Sequence, residues 1–217
     1  MSRRSSILVG KSFCLNGLVF ELPWSTFGGV FLYYRVYYCL TPTLSHTIIN
    51  QNSGDGTQLS LSRYPQYTGL DVSKFAVHRL QQRFADDWKK RFILYNGTRA
   101  GLTGQTGKLL QADLSFSLEV IFHITDANIY QNYMELLFDT SQRFVVIMSN
   151  DAPEIENCVS GKCYSDRGHL RFWPVRNWVK EHRSEEWRFI GSLQHKYPEK
   201  AWSDFFFFAR TSECDDW

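Results

Sequence analysis

Residues 48–71 constrain the fold of this chain more than any other stretch. They read as a short, partly apolar strand over 47–50, a turn holding Gly54 and Gly56, a short helix over 57–63, and a second strand over 67–71 that ends in an acid. Pro65 sets the helix stop, because the residue before a proline is pushed out of the helical region. The two glycines let the backbone turn tightly and approach a ligand closely. The N–H groups that open the next helix face the same spot. Strand, glycine turn, helix and acid-ended strand together make the first half of a nucleotide-type α/β domain. Asp71 lies 17 residues beyond Gly54, near the ~20-residue offset at which an acid takes ribose hydroxyls in dinucleotide folds. Gly-Asp-Gly is also a common turn, so its weight depends on the pattern of the remaining chain.

Beyond Asp71 the order of elements is regular. Ser73 caps a helix over 74–87, whose apolar face is read from Phe75, Val77, Leu80 and Phe84. Residues 91–95 form a third strand, and 96–111 a long loop with four glycines, of the kind that often carries function. Ala112–Leu118 is a fourth strand. A helix over 126–140 has Asp126 as its N-cap, and residues 143–149 make a strand apolar on both faces, as a central parallel strand is. After a polar loop over 150–168, Pro174 suits the first turn of a helix reaching His182. Two last strands, 187–194 and Asp204–Arg210, have no helix between them and should pair antiparallel at one edge. This alternation predicts an α/β fold with a mostly parallel sheet and helices on both faces. Residues 1–45 do not join the pattern: strand propensity is high over 30–40, helical periodicity is poor, and the segment is a candidate cap over the site. The expected organisation is an extension over 1–45 and one domain over 46–217.

Composition narrows the function. Net charge is only +2 and the basic residues are spread out, so nucleic acid is not an expected partner. Hydrophobic content of 43% supports a packed core rather than a disordered chain. The apolar-leaning run over 22–34 is too short for the ~20 residues a membrane span needs. Five cysteines at irregular spacing do not suggest a disulfide framework and favour a reducing compartment, so the cytoplasm is the expected location. Cys158, Cys163 and His169 lack the spacing of a zinc site, and no metal is expected.

The order of elements is that of the class I S-adenosylmethionine-dependent methyltransferases, and five blocks carry the resemblance. They are Gly54-Asp55-Gly56-Thr57-Gln58-Leu59, the run from Tyr67 to Ser73, the run from Ser117 to Ile124, the run from Arg143 to Asn150, and the run from Ser203 to Phe208. These look like successive blocks of a bacterial methyltransferase-like family and cover about residues 48–210. The resemblance implies a Rossmann-like methyltransferase sheet, S-adenosylmethionine as cofactor, and methyl transfer to a small-molecule or carbohydrate-like acceptor. In that family the first block usually reads Glu/Asp-Phe-Gly-Cys-Gly-Asp-Gly. The acid that helps hold the methionine amino group aligns here with Asn50, the first glycine with Asn52, and the cysteine with Ser53. An amide can still accept a hydrogen bond, but charge-assisted bonds are roughly twice as strong. The alternative that these departures motivate is a methyltransferase-like protein that binds or scaffolds without catalysis, or a degenerate reading frame.

The resemblance implies cofactor contacts from Asn50, Asn52, Gly54, Asp55, Gly56, Asp71, Leu118 and Glu119. Asp71 suits ribose because its carboxylate offers two acceptors to two hydroxyls. Glu119 and His123 are the candidate catalytic pair near the transferred methyl, with His123 as general base deprotonating the acceptor and Glu119 as orienter. Four residues apart, they share one face if the segment is helical. The bland reading is that Glu119 lines the pocket and His123 is structural, since methyl transfer needs little beyond alignment. His169, Arg171 and Trp173 form a basic and aromatic cluster suited either to an anionic or sugar-like acceptor or to a solvated edge.

Overall fold

The structure is a computed structural model that describes residues 12–15, 18–21, 35–38, 47–51, 56–60, 64–103, 107–151, 170–194 and 203–213. Three short strands, β1 (Ser12–Leu15), β2 (Leu18–Glu21) and β3 (Arg35–Tyr38), pair antiparallel in a sheet of their own. These strands fall within residues 1–45, where a cap over the site is expected; the rest of that stretch lies outside the described residues.

The main body runs β4 (Thr47–Gln51), α1 (Thr57–Ser60), β5 (Gln66–Asp71), α2 (Lys74–Arg83), β6 (Lys90–Leu94), β7 (Ala112–Leu118), α3 (Ala127–Asp139), β8 (Ser141–Ser149), α4 (Val175–His182), β9 (Trp187–Leu193) and β10 (Asp204–Arg210). Its seven strands lie in the order β6-β5-β4-β7-β8-β10-β9. The pairs among β6, β5, β4, β7 and β8 are all parallel. The last strand, β10, runs antiparallel to both β8 and β9. The final two strands therefore pair as the sequence predicts, but β10 is inserted inside the sheet and β9 takes the edge. The apolar pattern explains this choice. Phe205 and Phe207 enter one core cluster and Phe206 and Phe208 the other, so the strand is buried on both faces. Only an interior position satisfies that demand.

Helix α2 is shorter than the 74–87 expected. It closes at Phe84, where the cap N–H bonds back to Leu80 O. Asp86 and Asp87 come next, and carboxylates are unfavourable beside the negative end of the helix dipole. Asp87 instead accepts from Lys89 N at 3.1 Å and pairs with the Lys90 ammonium, building a turn. Val77 and Leu80 are buried and Phe84 packs against them, but Phe75 is 88% exposed. Residues 77, 80 and 84 take the three- and four-residue steps of one face, whereas 75 stands two residues off, on the far side of the helix. Burying Val77 and Leu80 stabilises the packing of α2 on β5 and β6 by about 1.5–3 kcal/mol each. On the opposite face, Tyr130, Met134, Leu137 and Phe138 of α3 and Val175, Trp178 and Val179 of α4 pack over Val145 and Ile147 of β8. Asp126 caps α3 as expected, accepting from Asn128 N at 2.8 Å and Ile129 N at 3.0 Å. No described helix is long and apolar enough to cross a membrane.

Candidate functional site

Chain order reverses direction across the sheet at β4, which has β5 on one side and β7 on the other. In open α/β sheets the crevice outside the carboxyl ends of the strands at such a point is where ligands bind. Asn50, Asp71 and Leu118-Glu119 are the residues that three adjacent strands deliver there. The sequence candidates Asn52, Gly54 and Asp55, with Ser53, lie outside the described residues, as do Cys158, Cys163 and His169.

Asp71 closes β5 and is 5% exposed. Its Oδ1 accepts from Ser73 N at 2.8 Å, and its backbone oxygen accepts from Tyr95 N at 2.9 Å. The carboxylate is thus fixed by the loop that leads into α2, while Ser73 Oγ accepts from Ala76 N at 3.3 Å to cap that helix. Ser73 serves twice: its side chain starts α2 and its N–H orients the acid.

Gly56 stands at φ +75, and its carbonyl accepts from Ser60 N at 3.0 Å to close the turn of α1. A Cβ there would overlap Leu80 Cδ2 and come within 2.9 Å of Phe84 Cε2. This glycine is required twice, by its left-handed backbone and by the close approach of α2.

Asn50 is buried, and its Nδ2 donates to Tyr67 Oη at 2.8 Å. Its Oδ1 has no hydrogen-bond partner among the described residues. A buried amide oxygen without a donor costs about 1–3 kcal/mol, and a ligand N–H or O–H arriving at the end of β4 would satisfy it. Tyr67 is a participant that the strand pattern alone does not single out. Its ring is stacked on Tyr64, with centroids 5.7 Å apart, and tilted against Phe92 and Phe116 at 6.0 and 6.5 Å. Two signals could have found it: an aromatic with a polar tip inside a buried strand, and its pairing next to β4 in register with Ile48.

Leu118 ends β7 beside Met148 of β8, and Glu119 N donates to Met148 O at 2.9 Å. Glu119 is exposed and holds φ +57, the one positive value outside glycine among the described residues. The backbone then leaves the strand and makes a single 3-10 turn over Ile121–His123. Glu119 and His123 are therefore not on one continuous helix, and the shared face that a helix would give them does not form. His123 closes the turn by donating its N–H to Val120 O at 2.9 Å, and its exposed ring lies 4.6 Å from that of Phe122.

The segment after the 150–168 loop pins this turn. Arg171 N donates to Phe122 O at 2.8 Å, Arg171 Nη1 to Thr125 O at 2.9 Å, and Trp173 Nε1 to Ile124 O at 2.7 Å. The Arg171 guanidinium lies 3.6 Å from the Trp173 ring centroid, and Trp173 stacks flat on Tyr130 at 4.0 Å. Trp173 is 7% exposed. Trp173 is buried and Arg171 half-buried, and both are engaged with the backbone of residues 122–125. They brace the turn that carries His123.

Tyr133 Oη and Ser117 Oγ are 2.6 Å apart, and burial raises the Tyr133 phenol above its ordinary range. Burial pushes Tyr95 up to about 12. These groups stay neutral at physiological pH and are packing elements rather than acids or bases for chemistry.

No protein-family model and no curated protein matches the sequence. Solved structures do. Magnesium protoporphyrin IX methyltransferase (ChlM) from Synechocystis, solved with bound S-adenosylmethionine, aligns over 77% of this chain and 71% of its own at TM-score 0.50 and 11% identity. The N-methyltransferase NodS from Bradyrhizobium japonicum aligns over 76% of this chain and 85% of its own at TM-score 0.52 and 16% identity. The 1,6-didemethyltoxoflavin-N1-methyltransferase from Burkholderia thailandensis, solved with 1,6-didemethyltoxoflavin and S-adenosylhomocysteine, aligns over 76% of this chain and 70% of its own at TM-score 0.55 and 13% identity. Strand order, the inserted antiparallel last strand and these likenesses agree: the fold is that of the class I S-adenosylmethionine-dependent methyltransferases.

Proposed function

We propose that this chain binds S-adenosylmethionine across the carboxyl ends of β4, β5 and β7 and directs its methyl group to a small-molecule or carbohydrate-like acceptor. The observation that carries the reading is Asp71: a buried carboxylate at the end of β5, held by Ser73 N, beside the switch point of a methyltransferase fold. Its geometry suits the paired hydroxyls of a ribose. The donor set also fits elsewhere. Gly56 keeps its turn close to α2, and Asn50 Oδ1 offers an unsatisfied acceptor to an amino group. Asn52, Gly54 and Asp55 complete the proposed cofactor contacts, with the backbone of Leu118 and Glu119 on the far side.

When bound, the cofactor supplies a methyl on a positively charged sulfur, which is electrophilic without further activation. The chain's residues then have a positioning task and a proton task. Glu119 would orient the acceptor, and His123 would take the proton the acceptor gives up. Arg171 and Trp173 hold the His123 turn in place for that role. The competing reading is a domain that binds the cofactor without transferring its methyl. Asn50 in place of an acid and the absence of a shared helical face for Glu119 and His123 favour it.

Calorimetry of the full chain with S-adenosylmethionine and S-adenosylhomocysteine tests the proposal. Saturable binding at one site is expected, and no binding by the folded protein overturns it. If turnover with an acceptor is found, His123→Gln should lower its rate and remove the limb of the pH profile that reports a base. An unchanged rate and profile would take His123 out of the mechanism.

A further inference from the structure

We propose that the rim of the molecule formed by α2, the turn after it and β6 docks on an anionic phospholipid surface. Residues 74–91 hold six basic residues against two acids, a net charge of +4 in a chain whose total is +2. The remainder of the chain is therefore net acidic. The excess positive charge lies at one edge of the sheet, because β6 is the edge strand and α2 packs on β5 and β6. Lys90 pairs with Asp87, but Lys74, Arg79, Lys89 and Arg91 are exposed and make no ion pair among the described residues. The same segment holds the two most exposed large apolar side chains of the described residues, Phe75 at 88% and Trp88 at 80%. Phe75 lies away from the buried Val77 and Leu80, on the outward face that it shares with Arg79 four residues on. Trp88 stands in the turn beyond the other end of the helix, with Lys89 Nζ 5.7 Å from its ring centroid.

Charge on an edge strand guards against pairing with other strands, and that accounts for Lys90 and Arg91. It does not account for an exposed aromatic at each end of a basic helix face. Such side chains are used where they enter the boundary of a bilayer, with the rings at headgroup level and the cations on the lipid anions. Single-stranded nucleic acid is the other polyanion that takes aromatics, but it is gripped in a groove by successive stacked rings. Here the two rings are a helix length apart, ~15 Å by the rise per residue, on an outward-facing surface. That spacing fits a flat partner.

The test is co-sedimentation of the full chain with vesicles of phosphatidylcholine alone and of phosphatidylcholine mixed with phosphatidylserine. Binding to the anionic vesicles only is expected, and it should weaken as salt is raised. Arg79→Gln and Lys89→Gln together should lower the affinity by at least about tenfold, at about fivefold for each charge. Trp88→Ala should lower it by about three- to tenfold through lost apolar contact and leave the salt dependence unchanged. Arg188→Gln, exposed on β9 at the opposite edge of the sheet, should leave the affinity unchanged. These positions are exposed, and the thermal unfolding midpoint of each variant is the control for folding. Equal binding to both kinds of vesicle, or binding to neither, overturns the proposal. So does binding that the Arg79, Lys89 and Trp88 substitutions leave unmoved, or that Arg188→Gln lowers equally. Binding of a single-stranded oligonucleotide without binding of anionic vesicles would assign the rim to nucleic acid and overturns it as well.

Discussion

The two carboxylates on either side of β4 are held in opposite ways. Asp71, at the end of β5, is buried, and its Oδ1 is bonded to Ser73 N. Glu119, at the end of β7, is exposed and stands on a left-handed backbone at φ +57. A fixed carboxylate suits a ligand that is the same in every turnover. An exposed one on a strained corner suits a partner that arrives and leaves. Holding a non-glycine residue in the left-handed region costs about 1–2 kcal/mol, and such cost persists where the surroundings over-determine it. Here the Glu119 N–H on Met148 O and the braced turn behind it supply that determination. One side of the site is thus rigid by burial, the other by bracing.

Substitutions can break this contrast from either side. The largest effect is expected at Gly56, on the buried side. Gly56→Ala must place a Cβ against Leu80 and Phe84 and hold φ +75, which should lower stability by about 2–4 kcal/mol in denaturant unfolding. A neutral result would mean that the turn and α2 part easily and that the Asp71 side is not rigid. Glu119→Gly should act in the opposite direction. It removes left-handed strain, so stability should be unchanged or rise by about 1 kcal/mol, while turnover falls if Glu119 orients the acceptor. Destabilisation by this change would show that the side chain, and not the bend, maintains the corner.

The smallest effect tests the packing of the core. Tyr95 Oη is buried without a partner among the described residues, and burial raises its phenol from 10.0 to about 12. Between those values the unfolded chain loses a proton that the folded chain keeps, so stability falls as pH rises through that window. Tyr95→Phe should flatten this alkaline slope and leave stability at neutral pH unchanged or slightly higher. An unaltered slope would place the titration elsewhere, with Tyr130 and Tyr133, whose phenols burial also raises, as the candidates.

Much of the fold is legible in the sequence, and the reasons are local. Asp126 and Ser73 are N-caps by residue type and prove so by geometry. Ala112–Leu118 and Asp204–Arg210 are read with the boundaries the structure shows, because apolar runs between polar breaks leave little choice. The features that escape a sequence reading depend on partners distant in the chain. The insertion of β10 between β8 and β9 is a tertiary choice made by its two apolar faces. Phe75 misleads because an aromatic in a helix suggests burial, while its angular position puts it outside. The left-handed bend at Glu119 has no glycine to announce it, so a helix through His123 is the natural expectation. Arg171 and Trp173 look like ligand groups because their partners, the carbonyls of 122, 124 and 125, lie nearly fifty residues earlier. Of the candidate site, Asp71 and Gly56 stand out by their places at a strand end and in the turn, whereas Tyr67 lies inside a buried strand and does not.

The central claim is that the buried acid of β5 holds the cofactor. Calorimetry of S-adenosylhomocysteine binding to the wild-type chain and to Asp71→Ala tests it directly. The account predicts saturable binding to the wild type and a loss of about 1–3 kcal/mol in the variant, as expected when a charged hydrogen-bonding partner is removed. Equal affinity in a variant that is folded would contradict it.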